Sequence, residues 1–242
     1  MDATNRKIKI KLENVSKIFK NNKGEKIKVL DNINLDIYDS ECLLILGPTG
    51  CGKTTLLKLI DGIEDVSKGK IIKYGNGFKT PIVWQEHRLL PWRTVIDNVK
   101  LGLEFQGKSN EESTKIARKY LNLVGLEKFE NYYPHQISGG MQQRVAIARA
   151  ISFGHDILLL DEPFSSLDYQ TKHNLQLFIK QIHKKIGGTI IYVTHIIEDA
   201  IFMGDRIVVF SPDPGKIKAI LNNKKQKRKL KKKIKKVWDS TS

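Results

Sequence analysis

The feature that most constrains the fold is a glycine-rich loop at residues 47–54, GPTGCGKT. It matches the pattern G-x-x-x-x-G-K-[ST] and lies between an apolar segment, CLLIL, and a segment with helical spacing, KTTLLKLIDG. A strand that continues through such a loop into a helix directs successive backbone N–H groups, and the positive helix end, towards one anion. The loop therefore predicts a phosphate-binding strand–loop–helix unit in an α/β fold.

Four almost continuously apolar segments predict strands that are buried on both faces of a parallel sheet. They are CLLILG (42–47), ILLLDE (157–162), TIIYVTH (189–195) and RIVVF (206–210). Helical patterns separate them, and one of these is predicted to begin after Asp168 as N-cap and to end at Gly187. Alternation of strands and helices indicates a parallel α/β core.

Two additions to this core are predicted. IKIKL (8–12), INLDI (33–37) and IKYG (72–75) alternate apolar and polar residues, which is typical of an antiparallel layer with one solvated face. From about residue 86 to residue 140 the pattern is helical, including EESTKIARKYLNLVGL with Gly125 as its stop. This segment predicts an inserted helical lobe.

The net charge of +16 is concentrated at the carboxyl end. Residues 224–236 contain ten Lys and Arg and no acid, which leaves +6 for the remainder (16 − 10). We therefore expect one domain over residues 6–222 and a basic tail over 223–242 that is too charged to pack and is solvated and flexible. The tail either contacts a membrane surface through its charge, with Leu230, Ile234 and Val237 dipping in weakly, or binds nothing specific.

The sequence excludes several classes of protein. No apolar run approaches the roughly 20 residues that a membrane span needs, and the amino terminus lacks the apolar block of a signal peptide. Cys42 and Cys51 form neither a disulfide framework nor a metal-ligand set. We expect a cytosolic chain with reduced thiols.

Residue chemistry assigns roles around the first phosphate site. Lys53 is expected to reach the β- and γ-phosphates and Thr54 to offer a hydroxyl to Mg²⁺, while Cys51 fills space. Asp161, at the end of a buried strand, supplies a second metal oxygen. Glu162 is predicted to orient the attacking water, and its alternative is a capping or salt-bridged surface acid.

A second phosphate-binding pattern occurs in ISGGMQQR (137–144). Ser138 offers a cap, Gly139 and Gly140 expose N–H groups, and the following helix directs its positive end at an anion. Taken alone, such a turn is more often only a helix cap.

With these motifs in this order, residues 8–220 resemble the ATP-binding subunits of ABC transporters. The resemblance implies a P-loop NTPase, RecA-like core with an antiparallel β subdomain and an inserted α-helical subdomain. It implies ATP and Mg²⁺ as cofactors. It also implies that the Ser138 turn binds the γ-phosphate held by a second copy, so that a homodimer closes head to tail around two nucleotides.

The resemblance carries further roles onto matching positions. Phe19 corresponds to the aromatic that stacks on adenine, with a core phenylalanine as the alternative. Gln85 matches the Q-loop residue that touches Mg²⁺ and the attacking water, and His195 matches the switch histidine, although a lone histidine after a strand is usually structural. SSLD (165–168) matches the loop that crosses the dimer interface. The expected catalytic residues are Glu162, His195, Lys53 and Gln85; the metal ligands are Thr54, Gln85 and Asp161; and the nucleotide contacts are Phe19, Gly47, Pro48, Thr49, Gly50, Cys51, Gly52, Lys53, Thr54, Thr55, Ser138, Gly139, Gly140 and Gln142.

Two departures from the family pattern, Ile137 before Ser-Gly-Gly and Ser40 before Glu41, remove no reacting group. A working ATPase is therefore predicted.

WQEHRLLPWRTVIDNV (84–99) and FSPDPGKI resemble importers of the nitrate, sulfonate and taurine type. This implies permease partners, an extracytoplasmic solute-binding protein acting indirectly, a small anionic solute and a peripheral position on the cytoplasmic face of the membrane. Leu89, Leu90, Pro91 and Trp92 are candidates for permease contact; alternatively, Leu89 and Trp92 pack the lobe core.

A soluble ABC-class ATPase that acts on nucleic acid or ribosomes is the alternative, because the tail is basic. The sequence contains neither heptad repeats nor a second P-loop, so no nucleic-acid partner is expected.

Overall fold

The computed structural model describes residues 7–75, 77–165, 167–223 and 227–239. It divides into two compact units. The first unit comprises residues Met1–Phe78 and Gly188–Ser242, and the second comprises Lys79–Gly187.

The first unit contains a three-stranded antiparallel sheet. Its strands are β1 (Ile8–Lys20), β2 (Lys26–Tyr38) and β4 (Lys68–Lys73), in the order β2-β1-β4. The predicted antiparallel layer is confirmed, but β1 and β2 are 13 residues long and extend well beyond the predicted segments. The register between β1 and β2 shifts near Asn14 (φ 53°) and Asn32 (φ 54°). Their positive φ values allow each strand to continue past the point where the alternation of apolar and polar residues stops.

A parallel core lies in the same unit. β3 (Cys42–Leu46) pairs in parallel with β7 (Thr189–Thr194) and with β8 (Arg206–Phe210), and all three strands are buried. β9 (Ile217–Asn222), which the sequence pattern does not predict, adds an antiparallel edge beside β8. Helix α1 (Lys53–Asp61) follows β3, and α6 (Ile197–Met203) follows β7.

The basic tail corrects one prediction. Residues 227–239 form helix α7 (Lys227–Asp239), which packs against α6, β8 and β9. Leu230 is 8% exposed and Ile234 is fully buried, whereas Lys232 and Lys233 face solvent. Two apolar side chains one turn apart are enough to attach the helix, because its lysines do not have to be buried. The prediction of a tail too charged to pack is therefore wrong for these residues, and Leu230 and Ile234 do not face outward as insertion into lipid would require.

The second unit contains strands β5 (Ile82–Val83) and β6 (Ile157–Asp161), which pair in parallel. Its helices are α2 (Val95–Phe105), α3 (Asn110–Leu123), α4 (Gly139–Ser152) and α5 (Tyr169–Ile186), with short 3-10 helices at Glu127–Phe129 and Pro134–Gln136. α2, α3 and α4 share an apolar core that includes Val99, Leu121 and Val145. The predicted helical lobe is confirmed.

Local signals set the helix ends as predicted. The Asp168 carboxylate accepts hydrogen bonds from the backbone N–H groups of Gln170 and Thr171 at the start of α5, and Gly187 ends that helix. Hydrogen bonding, first to Thr171, lowers the pKa of the Asp168 carboxyl. Gly125 (φ 68°) follows α3 as its stop. Within the described part of the chain, none of the helices combines the length and the apolarity needed to cross a lipid bilayer.

Candidate nucleotide-binding site

The glycine-rich loop of the first unit joins β3 to α1, as its motif predicts. α1 begins at Lys53, and Gly50 and Gly52 have φ values of 83° and 90°. A β-carbon at Gly52 would lie 2.7 Å from Leu30 Cδ2 and 3.1 Å from the Val29 carbonyl oxygen. Gly52 is therefore required both by its left-handed backbone and by the close approach of β2.

The side chains of this loop have distinct environments. Lys53 is 5% exposed, and its Nζ donates hydrogen bonds of 2.9 Å to the carbonyl oxygens of Gly47 and Pro48. Cys51 is 1% exposed, and its Sγ lies 2.6 Å from the position that a β-carbon on Gly47 would occupy. Cys51 thus packs inside the loop, as expected of a filler. Thr49 and Thr54 are exposed, and Thr55 is partly buried.

His195 lies beside the beginning of this loop. The parallel pairing of β3 with β7 places Leu46 opposite Thr194, and the Gly47 N–H donates to the Thr194 carbonyl oxygen at 3.3 Å. The loop and the exposed His195 therefore leave adjacent strands at the same edge of the sheet.

Phe19 lies near the end of β1 and is partly exposed, so it is not a core residue. Lys17 Nζ lies 4.8 Å from the centroid of its ring and also bonds Glu64 Oε2 and the Asp65 carbonyl oxygen, at 2.8 and 2.7 Å. An ammonium group thus sits against the ring. The role of Phe19 in stacking on adenine remains a prediction.

In the second unit, Gln85 lies just after β5, and the acids Asp161 and Glu162 lie at the end of β6. These two strands are parallel neighbours. Val83 pairs with Leu160, so Gln85 and Glu162 each lie two residues beyond the same register position. Asp161 is 6% exposed and ends β6. Glu162 has a φ of 43°, an unusual backbone for a residue with a side chain, and its carbonyl oxygen accepts from the Ser165 N–H at 3.2 Å and from Ser165 Oγ at 3.1 Å. Ser166, in the predicted interface loop, lies outside the described residues.

The Ser-Gly-Gly turn caps α4. Ser138 Oγ accepts from the Met141 N–H at 3.3 Å, so the capping role is present. Gln142 Nε2 donates to the carbonyl oxygens of Pro134 and Ile137, at 2.9 and 3.3 Å, and holds the turn in place. Among the described residues other than the chain neighbours of Gly139, only His87 Nε2 lies within 4 Å of a β-carbon added at that position, at 3.8 Å. Ser138 thus caps this helix end, and the His87 imidazole lies at van der Waals distance from the β-carbon position of Gly139.

Comparison with known proteins decides the family. A family model described as ABC transporter matches residues 30–165. An uncharacterised ABC transporter ATP-binding protein of Methanocaldococcus jannaschii is 47% identical over 220 residues, which cover 89% of this chain and 82% of the relative. This chain belongs to the ABC transporter family of ATP-binding proteins. Members of this family are ATPases, and the chain is an ATP-binding ATPase.

Other ABC proteins are similar over most of the chain. The taurine import ATP-binding protein of Rhizobium johnstonii is 40% identical, covering 87% of this chain and 82% of that protein. The aliphatic sulfonates import ATP-binding protein of Bacillus cereus is 41% identical, covering 89% and 86%. Among solved structures, a dimeric post-hydrolysis state of the ATP-binding cassette MJ0796, bound to ADP and Pi, superposes with a TM-score of 0.79 at 35% identity, covering 89% of this chain and 99% of that one.

The three residues that are predicted to bind Mg²⁺ each carry an oxygen group of the kind this ion prefers, and their role remains a prediction. Thr54 offers a hydroxyl, Gln85 an amide oxygen and Asp161 a carboxylate, and Mg²⁺ prefers such oxygen ligands. Among the residues that the structure describes, no group of three or more His, Cys, Asp or Glu side chains could hold a metal.

Sequence reasoning missed a partly buried hydrogen-bond network beside the Ser138–Gly140 turn. His87 Nδ1 lies 2.5 Å from Gln143 Oε1, and Gln143 is fully buried. Arg149 donates from NH2 to the His87 carbonyl oxygen at 3.1 Å and from NH1 to the Arg88 carbonyl oxygen at 2.8 Å. His87 follows Gln85 closely, but 56 residues separate it from Gln143, and no local pattern links the two.

A second missed element fixes the segment after Gln85. Asn98, which is fully buried, accepts from the Leu90 N–H at 2.8 Å and donates to the carbonyl oxygens of Leu90, Arg93 and Thr94. Leu89 packs against the lobe core, whereas Trp92 is 71% exposed. The alternative of core packing is therefore correct for Leu89 and wrong for Trp92.

Proposed function

We propose that this ABC ATPase is the ATP-hydrolysing subunit of a membrane importer and that two copies close head to tail around two nucleotides. One observation carries this proposal: the chain has a second helix amino terminus, at α4, that is built for an anion. Ser138 caps that helix, and among the described residues outside the turn only His87 Nε2, at 3.8 Å, lies within 4 Å of a β-carbon added at Gly139. The phosphate loop before α1 already serves one nucleotide, so the turn before α4 serves the γ-phosphate held by a second copy. The dimeric, ADP-bound and Pi-bound state of the similar cassette supports this arrangement.

Within each copy, Lys53 neutralises the β- and γ-phosphates and the loop from Gly47 supplies backbone N–H groups. Glu162 accepts a proton from the attacking water while Gln85 and His195 position the water and the γ-phosphate. Phe19 stacks on the adenine. Pro48, Thr49, Gly50, Cys51, Gly52 and Thr55 complete the loop, and Gly140 and Gln142 complete the turn that meets the partner's nucleotide.

Thr54, Asp161 and Gln85 would hold the Mg²⁺ that accompanies ATP. When bound, the ion neutralises charge on the β- and γ-phosphates. The oxygens of these residues would fix the position of the ion, and Asp161 would contribute a buried carboxylate.

The importer role also requires a surface for the permease. Trp92 is a large apolar side chain that is 71% exposed on a segment held by Asn98, so it is a rigid anchor for a membrane-subunit contact. The relatives named for taurine and aliphatic sulfonate import support a small anionic solute. In this proposal the subunit lies on the cytoplasmic face of the membrane, and a solute-binding protein delivers solute to the permease.

The first experiment measures the solution mass of Glu162→Gln with and without Mg·ATP. This variant keeps the nucleotide site but loses the base, so it is expected to accumulate as a dimer only when Mg·ATP is present. The matched control is Glu162→Gln with Ser138→Arg, which places a large cation at the turn. We expect the control to bind ATP as a monomer. A Glu162→Gln protein that binds ATP and stays monomeric, or a control that still pairs, would contradict the two-copy site.

A further inference from the structure

A groove of about 400 Å³ lies between α3 and α5 in the second unit. Its apolar walls come from Tyr120 and Leu123 of α3 and from Phe178 and Ile182 of α5. Tyr120 and Phe178 also pack against the apolar core of the helical lobe, so these walls are held in place from behind. None of the described residues that line the groove belongs to the predicted nucleotide or Mg²⁺ contacts.

The size of the groove suits a small molecule. Small-molecule sites are concave pockets of roughly 300–1,000 Å³ with mostly apolar walls and a few polar groups. A stable protein interface uses roughly 20–30 residues on each side. Only seven described residues line this groove, so it is too small to be such an interface by itself.

The polar groups at the groove can donate hydrogen bonds. The hydroxyl of Tyr120 has no hydrogen-bond partner among the described residues. Burial raises the pKa of this hydroxyl, so it stays protonated. Lys119 and Lys185 form no ion pair within the described part of the chain, and Lys119 Nζ lies 5.7 Å from the centroid of the Tyr120 ring. The Gln181 amide is the remaining polar group, and no carboxylate lines the groove among these residues.

The charges around the groove favour an anion. α5 carries four lysines and no acid. The acids of α3, Glu111 and Glu112, lie in its first turn, about two turns before Lys119. Both helices end near the groove, and each carboxyl end contributes roughly half a negative charge. The full positive charges of Lys119 and Lys185 outweigh these two partial charges, so the potential at the groove is positive.

We propose that this groove binds an amphipathic organic anion that has an aliphatic or aromatic body and a carboxylate or sulfonate head. The body lies between Leu123, Phe178 and Ile182 and removes apolar surface from water. The head accepts a hydrogen bond from the Tyr120 hydroxyl and pairs with the ammonium groups of Lys119 and Lys185. The inference does not depend on the two-copy nucleotide site, because it uses none of the residues proposed for that site.

The test uses the full chain and sodium octanoate as the probe, in equilibrium dialysis at constant ionic strength. The parent should bind octanoate saturably, with one molecule for each chain. Octylamine has the same body with a positive head, and acetate has the same head without the body. Neither of these two compounds should bind measurably.

Matched variants locate the binding. Lys119→Glu combined with Lys185→Glu should weaken octanoate binding roughly 10- to 100-fold, because both ammonium partners are replaced by like charges. Tyr120→Phe keeps the ring and should weaken binding roughly 5- to 10-fold through the loss of one hydrogen bond to a charged group. The control is Lys184→Glu, which changes an exposed neighbour that does not line the groove. It should change octanoate binding less than about threefold, because a solvated charge outside the groove is screened.

ATP binding by every variant should equal that of the parent, which shows that the variants are folded. The inference is overturned if the parent binds no octanoate, or if the double variant binds it as tightly as the parent. Equal binding of octanoate and octylamine would also overturn it, because the groove would then not select an anion. A parent that self-associates without nucleotide, and that becomes monomeric in Leu123→Trp, would assign the groove to a second copy and contradict the inference as well.

Discussion

Replacement of Arg206 by Met tests the main buried ion pair of the first unit. Arg206 lies on β8 and donates from NH1 to both carboxylate oxygens of Glu41, each at 3.1 Å. It also donates to the Asp36 carbonyl oxygen and stacks 4.6 Å from the centroid of the Tyr38 ring. Glu41 is fully buried, just before β3, and accepts the Tyr38 N–H at 2.8 Å. The pair thus ties the strand that leads to the phosphate loop to its neighbours.

The size of the effect follows from the burial. Without Arg206, the Glu41 carboxylate stays at 0% exposure beside a thioether, and breaking a buried pair in this way costs about 3–5 kcal/mol. Arg206→Met with Glu41→Leu removes both charges. That double variant leaves the Tyr38 N–H and the Asp36 carbonyl without these partners, at about 1 kcal/mol each, so a total of about 2 kcal/mol is expected. The double variant should be more stable than the single one.

Urea unfolding followed by circular dichroism measures these differences. Arg118→Met is the matched control, because Arg118 is 60% exposed and pairs with Glu130 at 2.9 Å on the surface. Such a pair contributes about 0–1 kcal/mol. The reasoning is refuted if Arg206→Met costs no more than Arg118→Met, or if the double variant is less stable than Arg206→Met alone.

Three further predictions concern the loop, the exposed tryptophan and the last helix. Gly52→Ala should abolish detectable ATP binding in a titration, because the new β-carbon would collide with β2. The control is Gly62→Ala, where φ is 99° but no atom lies within 4 Å of the added β-carbon. This control should bind ATP normally and lose only about 1 kcal/mol of unfolding free energy. Trp92→Ala should keep ATP hydrolysis by the isolated subunit and lose its stimulation by the permease in proteoliposomes, whereas Phe105→Ala, at an 83% exposed position, should retain both. Ile234→Ala should lower the free energy of unfolding by about 2–4 kcal/mol in urea, and a loss below 0.5 kcal/mol would mean that α7 does not rest on this contact.

The sequence by itself determined those elements that depend only on residues close together in the chain. The run of apolar residues in β3, β6, β7 and β8 is enough to indicate strands that are buried on both faces. Asp168 and Gly187 mark the two ends of α5. Their effects are local, because the Asp168 carboxylate bonds N–H groups in the first turn and the positive φ of Gly187 ends the last turn. The phosphate loop is predictable for the same reason, since its motif and its flanking strand and helix are contiguous.

Tertiary structure decided the features that depend on distant partners. β1 continues past Leu12 because Asn14 adopts a positive φ and Gly69 of β4 packs against it: a β-carbon there would lie 2.3 Å from the Asn14 carbonyl oxygen. α7 packs because α6, β8 and β9 form a surface that buries Ile234. The lysine-rich composition of the segment gives no sign of this contact. Gln143 meets His87 across 56 residues. Periodicity and caps report on the backbone within a few residues, whereas these contacts exist only after the chain has brought separate segments together.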